Sequence, residues 1–319
     1  EIQHLSEAGL FLKGLADLKP DIPIFVTGSS SYHLSSKTRE SLAGRAIRHY
    51  LLPFGLVELL PHGLPPFIAQ QKAAAIIRNL LTWGGYPDVY LGKDKPAILA
   101  QLTEAFVLRD ASDLYRIKRP EAFRKLLSLA ASQIGNLVNY SNWAYEAGVS
   151  VNTIIEYINI MAESHLVKLI PPFVGGKRAE IKSTPKIYFL DNGLRNFLFG
   201  GYTLPDQRTD IGALVENFVL TELCKHTQPL LDSIHFWRSK SGAEVDFIIR
   251  RSNSLFAIEV KAGSLKQPKI TRSLRSFIEA YSPDKVIVFN DSLKDRIKIN
   301  KTPIVFDTLI SIPKLIDHG

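Results

Sequence analysis

The amino-acid sequence predicts an α/β protein of two or three domains. The chain has 319 residues, 45% of them hydrophobic, so it can bury more core than one domain usually holds. Helical periodicity dominates the middle of the chain, and from residue 211 onward short strands alternate with amphipathic helices. Pro and Gly accumulate between Pro61 and Pro66, which indicates a boundary. The predicted domains are residues 1–65, 66–204 and 205–319.

Composition and charge exclude several classes of function. No run of 18 apolar residues and no basic-then-apolar N-terminal signal occurs, so we expect a soluble chain without a membrane partner. The single cysteine, Cys224, rules out an internal disulfide and fits a cytoplasmic location. The 8 histidines show no zinc-like spacing. A net charge of +8 suits an anionic partner, nucleic acid first, although many basic proteins bind none.

The first predicted domain combines short strands with a polar loop. The segment "DIPIFVTGSSS" predicts a buried strand over residues 22–27 that runs into a Gly-Ser loop. The segment "IRHYLLPFGLVELL" predicts a second short strand, which Pro53 stops, followed by a turn and the start of a helix.

The middle domain is predicted to be helical and to end in a pair of strands. We expect a helix over 67–82, a loop at "WGGYPDVY" and three helices over 96–134. Gly148 then ends one helix and Ser150 caps the next, "VNTIIEYINIMAESHLV". The strands "HLVKLIPPF" and "PKIYFLD" follow, joined by a basic loop.

Helices followed by such a hairpin are typical of a winged helix, whose wing would contact nucleic acid. The basic residues of that wing are Lys177, Arg178 and Lys182. The alternative is a packing and linker domain with a solvated loop. On the residues alone this alternative is favoured, because no side chain suited to reading bases stands out.

The last domain is predicted from alternating helices and strands. The segment "IGALVENFVLTELCKH" is a helix whose apolar face carries Leu214, Val215, Phe218 and Val219, with Glu216 at its flank. We expect strands at "IHFWR" and "KVIVFN" and a helix over 270–281.

Between these strands, "GAEVDFIIRRSNSLFAIEVKAG" predicts a hairpin with charged residues on one face. Alternation places Val245, Phe247 and Ile249 on the other face of its first strand. A two-residue turn at Ser252-Asn253 sets Asp246 opposite Glu259. Like charges at opposed positions destabilise a sheet, so this pair needs a physical reason.

Two explanations of the charged face are open. Asp246 and Glu259 could hold Mg²⁺, a hard cation that prefers carboxylate oxygens. Alternatively, Glu244 and Lys261 form a cross-strand ion pair, and the other two residues are merely polar groups on a solvent face. The spacing alone favours the ion pair, because an aspartate followed by Glu-x-Lys is a loose pattern.

Four segments in order resemble a large family of prokaryotic ATP-binding AAA-type proteins: "VTGSSSYHLSSKTRESLAGR", "PKIYFLDNGLRNFL", "IGALVENFVLTEL" and "FWRSKSGAEVDFII…AIEVK". The resemblance covers nearly the whole chain. It implies the last part of a P-loop ATPase domain, a helical and winged-helix middle domain, and a restriction-endonuclease-like α/β domain at the C-terminus.

For the ATPase part, the resemblance assigns a role to three residues. Glu1 matches the catalytic glutamate after Walker B, Ser29 lies in a sensor-type loop, and Arg45 is a phosphate-contacting arginine that could reach a neighbouring subunit of a homo-oligomer. Turn chemistry at Ser29 and a local carboxylate partner for Arg45 are the alternatives. No G-x-x-x-x-G-K-[ST] occurs in the sequence. We therefore expect ATP and Mg²⁺ to bind only where a P-loop is present, and this chain not to hydrolyse ATP.

For the C-terminal part, the resemblance is to PD-(D/E)xK nucleases. It implies catalytic roles for Asp246, Glu259, Lys261 and Glu216, with Mg²⁺ or Mn²⁺ on Asp246 and Glu259. Two functions follow. One is metal-dependent hydrolysis of DNA or RNA coupled to an ATPase. The other is a nucleotide-switched module that binds nucleic acid or protein through a catalytically inactive nuclease fold.

Overall fold

The computed structural model describes residues 7–18, 22–27, 47, 49–61, 63, 65–106, 117–175, 184–228 and 231–317. The chain forms two compact units. The first comprises Glu1–Leu52, Gln101–Leu126 and Tyr140–Val167, and the second comprises Pro53–Ala100, Leu127–Asn139 and Lys168–Gly319. Six predicted site residues lie outside the described residues: Glu1, Ser29, Arg45, Lys177, Arg178 and Lys182. The predicted roles of these six, and the domain boundaries, stay predictions.

The described chain is mixed α/β. Its helices are α1 Ala8–Asp17, α2 Leu56–Leu59, α3 Pro66–Trp83, α4 Pro87–Leu91, α5 Lys95–Ala105, α6 Pro120–Ser132, α7 Tyr140–Ala147, α8 Val151–Glu163, α9 Asn192–Phe199, α10 Ile211–Lys225, α11 Arg272–Tyr281 and α12 Ile312–Asp317. Its strands are β1 Val167–Ile170, β2 Lys186–Phe189, β3 Asp232–Arg238, β4 Glu244–Arg251, β5 Ser254–Val260, β6 Lys285–Asn290, β7 Asp295–Ile299 and β8 Thr302–Thr308.

In the first unit, the turn between α7 and α8 forms as its sequence predicts. Gly148 has φ +64°, a left-handed conformation that glycine adopts without a Cβ penalty. The hydroxyl of Ser150 accepts a hydrogen bond from the Thr153 amide at 3.1 Å and so caps α8. Trp143, Ile154 and other apolar residues of the two helices are buried. The predicted turn and the two helices on either side of it are therefore confirmed.

The strand predicted over residues 22–27 is absent from the described residues. Residues 23–27 are irregular, and Ile24, Phe25 and Val26 are exposed. A strand requires a neighbour to accept its backbone hydrogen bonds, and no described strand pairs with this segment. Residues 49–52 are also irregular, although the helix predicted after Pro53 forms as α2.

In the second unit, six strands of the described chain form one mixed sheet in the order β3-β4-β5-β6-β8-β7. β3, β4 and β5 are antiparallel, β5, β6 and β8 are parallel, and β7 is antiparallel to β8. The connection from β5 to β6 runs through α11, as parallel neighbours require. β1 and β2 pair separately as a two-stranded sheet.

Each face of the six-stranded sheet is covered. On one face, Phe247, Ile258 and Phe289 pack in a cluster with the apolar stripe of α10. Leu56, Ile77, Leu80, Leu81, Ile170 and Tyr188, which come from earlier in the chain, belong to the same cluster. On the other face, Val245, Ile248 and Val286 pack with Leu274 and Phe277 of α11. A strand buried on both faces reads as a continuous apolar run, as "KVIVFN" does.

Close backbone approach positions α9 against the end of α3. A Cβ on Gly193 would overlap the carbonyl of Trp83, and a Cβ on Gly85 would lie 2.5 Å from the carbonyl oxygen of Phe54. The carboxylate of Asp191 caps α9 by accepting from the Leu194 amide at 2.8 Å and also accepts from the Gly85 amide at 2.6 Å. Residues 83–90, predicted as a loop, therefore form a tight turn followed by α4, which begins with Pro87 at its first position.

None of the helices in the described parts of the chain is both long enough and apolar enough to cross a bilayer.

Candidate functional site

The predicted hairpin forms, with one irregularity at the charged position. β4 and β5 pair from Arg251↔Ser254 to Phe247↔Ile258, the register that the Ser252-Asn253 turn predicts. On its other side, β4 pairs with β3 through His235↔Ile248 and then Trp237↔Val245, so β4 has one extra residue between these pairs. This is a β-bulge at Asp246 and Phe247.

The bulge changes the predicted faces of β4. Phe247 and Ile249 pack on the α10 side of the sheet, whereas Val245 packs on the α11 side. The prediction that Val245 shares a face with Phe247 is therefore wrong, because the extra residue interrupts the alternation. Bulges of this kind commonly aim a side chain next to an active site.

Asp246 lies where the ladder between β4 and β5 ends. Its Oδ2 accepts a hydrogen bond from the backbone amide of Val260 at 2.7 Å. This side-chain contact joins the two strands beyond their last backbone pair, Phe247↔Ile258. Asp246 is consequently held beside the segment that carries Glu259 and Lys261.

Glu259 and Lys261 form an ion pair within the same strand end. The Nζ of Lys261 lies 2.6 Å from Oε1 of Glu259. Glu259 is only 4% exposed, and its second oxygen, Oε2, is buried without a hydrogen-bond partner among the described residues. A buried carboxylate oxygen without a partner is costly, and in native structures such a group calls for an explanation.

Glu216 reaches this region from α10 and is held by two residues of β2. The hydroxyl of Tyr188 donates to Oε1 of Glu216 at 2.5 Å, and Nζ of Lys186 lies 3.4 Å from the same oxygen. Gly135, at φ +75°, passes so closely that a Cβ there would lie 3.4 Å from Oε1 of Glu216. Glu216 thus has one fixed carboxylate oxygen.

Lys186 is the buried cation of the cluster. It is 2% exposed, and its Nζ contacts Glu244 Oε1 at 2.5 Å as well as Glu216. The ring of Phe236 lies 5.5 Å from the same nitrogen, a cation–π distance. Glu244 also contacts Arg238, at 3.4 Å. The cross-strand pair considered between Glu244 and Lys261 is therefore wrong, since each of the two residues pairs with a different partner.

Burial and like charge raise the pKa of two of the carboxyl groups. Burial raises the pKa of Asp246 well above its usual value, and the carboxylates of Glu216 and Glu259 raise it further, against the opposing effect of Lys186. Burial also raises the pKa of Glu259, although Lys261 opposes the shift. For Lys186, burial alone would lower the pKa, but Glu216 and Glu244 outweigh it and raise the pKa.

The structure brings the four predicted C-terminal site residues, Glu216, Asp246, Glu259 and Lys261, into one charged cluster. Sequence reasoning missed Lys186 and Tyr188 as members of it. One signal was available: Lys186 is a charged residue at the start of the otherwise apolar strand "KIYF", and a buried lysine requires a carboxylate partner. The identity of that partner, 30 residues away, could not be read from local spacing.

The donor set fits a cation that is held by few protein ligands. Among the described residues, no three His, Cys, Asp or Glu side chains are grouped as a metal site. Mg²⁺, however, is commonly bound by one or two carboxylates and completes its shell with water and substrate oxygens. The buried free oxygen of Glu259 and the adjacent carboxylate of Asp246 provide that smaller set.

A second polar cluster on α10 is satisfied internally. Glu222 is fully buried, and its two oxygens accept from the Leu56 amide at 3.1 Å and from Lys225 at 2.9 Å. Lys225 also donates to the carbonyl of Phe54 at 3.0 Å. These contacts anchor the start of α2 to α10, which makes the cluster a structural feature.

Three family models match successive parts of the chain. Residues 1–60 match an AAA domain, residues 75–203 match a domain of unknown function (DUF8612), and residues 211–314 match another domain of unknown function (DUF4143).

Similar proteins come from bacteria and an archaeon. The chain is 26% identical to uncharacterized proteins of Mycobacterium bovis and Mycobacterium tuberculosis, over 86% of its own length and 60% of theirs. It is 23% identical to the uncharacterized protein MJ1544 of Methanocaldococcus jannaschii, over 94% of its length and 70% of that protein. The chain therefore spans about 60% of the length of the mycobacterial relatives. Together, these matches indicate a similarity to prokaryotic AAA-like proteins.

Proposed function

We propose that the C-terminal α/β region is a metal-dependent phosphodiester hydrolase acting on DNA or RNA, within an AAA-like ATP-binding protein. The observation that carries the proposal is the buried Oε2 of Glu259, which has no hydrogen-bond partner among the described residues and belongs to the same cluster as Asp246. A divalent cation shared by these two carboxylates would satisfy the oxygen and offset the repulsion between them.

Each residue of the cluster has a role in this proposal. When bound, the cation would polarise the phosphate and lower the pKa of a water molecule. Asp246 and Glu259 bind the cation, and the Val260 amide keeps Asp246 in place. Lys261, which is partly exposed, offers positive charge to the developing negative charge on the phosphate. Glu216 orients water. The contacts from Tyr188 and Lys186 fix the position of the Glu216 carboxylate.

A second function is favoured by the balance of charge in the cluster. Lys186, Lys261 and Arg238 already pair with Glu216, Glu244 and Glu259. A cluster so nearly neutralised by its own cations could be a structural element of a module that binds nucleic acid or protein and is switched by nucleotide in the AAA-like part.

Thermal unfolding with and without Mn²⁺ separates the two functions. If Asp246 and Glu259 bind the ion, Mn²⁺ at a hundredfold excess over Kd should raise the free energy of unfolding by about 2.7 kcal/mol. The variant Asp246→Asn should lose this gain, whereas Asp295→Asn, which removes an exposed carboxylate on β7, should keep it.

Cleavage of a labelled oligonucleotide provides the second measurement. Lys261→Ala should retain the stabilisation by Mn²⁺ and lose cleavage, because Lys261 acts on the phosphate and not on the ion. If millimolar Mn²⁺ and Mg²⁺ leave the melting temperature of the wild type unchanged, the hydrolase is excluded and the binding module remains.

A further inference from the structure

Four basic residues follow the site in sequence and form what we call the cationic strip: Lys266, Lys269, Arg272 and Arg275. The first two lie in the loop after β5, and the other two lie in the first turns of α11. All four are exposed. No Asp or Glu occurs from residue 262 to residue 278, and the next carboxylate along the chain is Glu279, four residues after Arg275 on α11.

The topology places the strip at the same end of the sheet as the carboxylate cluster. β5 ends at Val260, directly after Glu259, and the loop that leaves it remains at this end because the Asp291 amide, just past the end of the parallel strand β6, donates to the carbonyl of Gly263 at 3.2 Å. Thr271 then caps the first turn of α11 by accepting from the Leu274 amide at 3.1 Å. Arg272 and Arg275 are three residues apart on this helix and therefore share a face.

The four cations differ from three cations of the site, Lys186, Lys261 and Arg238, in having no ion-pair partner among the described residues. Each of these three forms an ion pair with a carboxylate of the cluster or of its flank, namely Glu216, Glu244 or Glu259. In the described parts of the chain, no ion pair or hydrogen bond involves the side chains of the strip residues. A row of exposed, unpaired cations beside a site for phosphodiesters is complementary to a chain of phosphates.

We propose that the cationic strip binds the sugar–phosphate backbone of a nucleic acid and guides it to the carboxylate cluster. The assignment of the substrate rests on the proposed hydrolase, but binding to the strip does not require cleavage. Arginine can bind phosphate through two parallel hydrogen bonds and lysine binds it as a point charge, so the contacts carry no base information. The strip therefore recognises nucleic acid independently of sequence.

The test compares two pairs of lysines of equal charge. Lys266→Gln/Lys269→Gln removes two cations from the strip. Lys298→Gln/Lys301→Gln removes two exposed cations near the β7–β8 turn, which lies at the opposite end of the sheet because β8 begins there parallel to β6. Binding of a short labelled duplex DNA is measured by fluorescence anisotropy in EDTA, so that no metal-dependent cleavage interferes.

The expected result is a change in the salt dependence of binding. Each lost phosphate contact lowers the slope of log K against log salt by about 0.9 on duplex DNA, so the strip variant should lose about 1.8 from the slope. Between about 50 and 200 mM salt, wild-type affinity should therefore fall about tenfold more than that of the strip variant. The control variant should keep the wild-type slope, and Lys266→Arg/Lys269→Arg should restore it.

Other results overturn the inference. An equal loss of salt slope in the strip and control variants would assign DNA binding to net charge alone. A strip variant that binds DNA like the wild type but loses binding to phosphatidylserine vesicles would assign the strip to a membrane surface. Absence of cleavage with a strip-dependent salt slope would contradict the hydrolase and leave the nucleic-acid site standing, so the two proposals fail separately.

Discussion

At the scale of single residues, the fold holds several carboxyl groups close together although their like charges repel each other. Asp246 and Glu259 are both in the cluster with Glu216, and burial reduces the solvation that would otherwise separate their charges. Because burial and like charge raise the pKa of each group, the folded protein binds protons more tightly there than the unfolded chain does. Stability then falls as the pH rises through the window between the unfolded and folded pKa values.

This sign gives a prediction for Asp246→Asn in the absence of metal. The amide retains an oxygen that can accept from the Val260 amide, but it carries no charge, so the variant should be more stable than the wild type at neutral pH. The advantage should shrink as the pH falls towards 4, where Asp246 is protonated. A tenfold difference in proton affinity between the folded and unfolded states corresponds to about 1.4 kcal/mol. Denaturant unfolding between pH 4 and pH 8 measures the advantage, and a difference that does not vary with pH would show that the charge of Asp246 costs the fold nothing.

The buried ammonium group of Lys186 leads to a prediction in the opposite direction, namely a loss of stability. Lys186→Met keeps most of the aliphatic volume but leaves Glu216 and Glu244 without their buried cation. Removing one partner of a buried ion pair typically costs about 3–5 kcal/mol. We expect a loss of this size by denaturant unfolding at pH 7.

The control for this variant is Lys314→Met, on α12, which removes a cation for which no carboxylate partner is present in the described chain. It should change the free energy of unfolding by no more than about 0.5 kcal/mol. A comparable loss in both variants would contradict the role given to the Lys186 ion pairs.

At the scale of elements, local sequence patterns predicted most helices and strands of the second unit. Periodicity and turn chemistry, which act over a few residues, predict the helix α10, the strands at "IHFWR" and "KVIVFN" and the register of the β4–β5 hairpin. The bulge at Asp246 could not be predicted this way, since it appears only when β4 is aligned with β3. The strand predicted at 22–27 failed for a related reason, because strands depend on neighbours that the segment itself does not specify.

The junction between α3 and α9 provides a prediction on an element boundary. Gly193→Ala should destabilise the protein by about 1–3 kcal/mol, because the added Cβ would overlap the backbone carbonyl of Trp83 and force the two helices apart. Gly212→Ala, in the first turn of α10, is the matched control. A Cβ at Gly212 meets no atom within 4 Å, so that variant should be neutral or stabilising by up to about 1 kcal/mol. Equal melting temperatures for the two variants would contradict the close approach.

At the scale of the whole molecule, the second unit is assembled from three separate stretches of chain. The cluster beneath the sheet draws six buried side chains from before residue 205, namely Leu56, Ile77, Leu80, Leu81, Ile170 and Tyr188. The cation and hydroxyl that hold Glu216 also come from β2, before this residue. The sequence predicts a boundary at residue 205 because the pattern of helices and strands changes there. Periodicity, however, does not reveal which distant segments share a core.

This composition of the core predicts how two shortened chains behave. Residues 205–319 alone lack the six side chains, each of which contributes about 1.5–3 kcal/mol when fully buried. The sum is comparable to the net stability of a whole domain, about 5–15 kcal/mol. We therefore expect residues 205–319 to show no cooperative unfolding transition and to lose the tertiary signal of Trp237, whereas residues 53–319 unfold cooperatively near the denaturant midpoint of the full chain. Circular dichroism and tryptophan fluorescence in a guanidinium titration measure both. If the 205–319 chain unfolds cooperatively at the same midpoint as the 53–319 chain, the earlier segments are not part of the core, and the boundary at residue 205 is a true domain boundary.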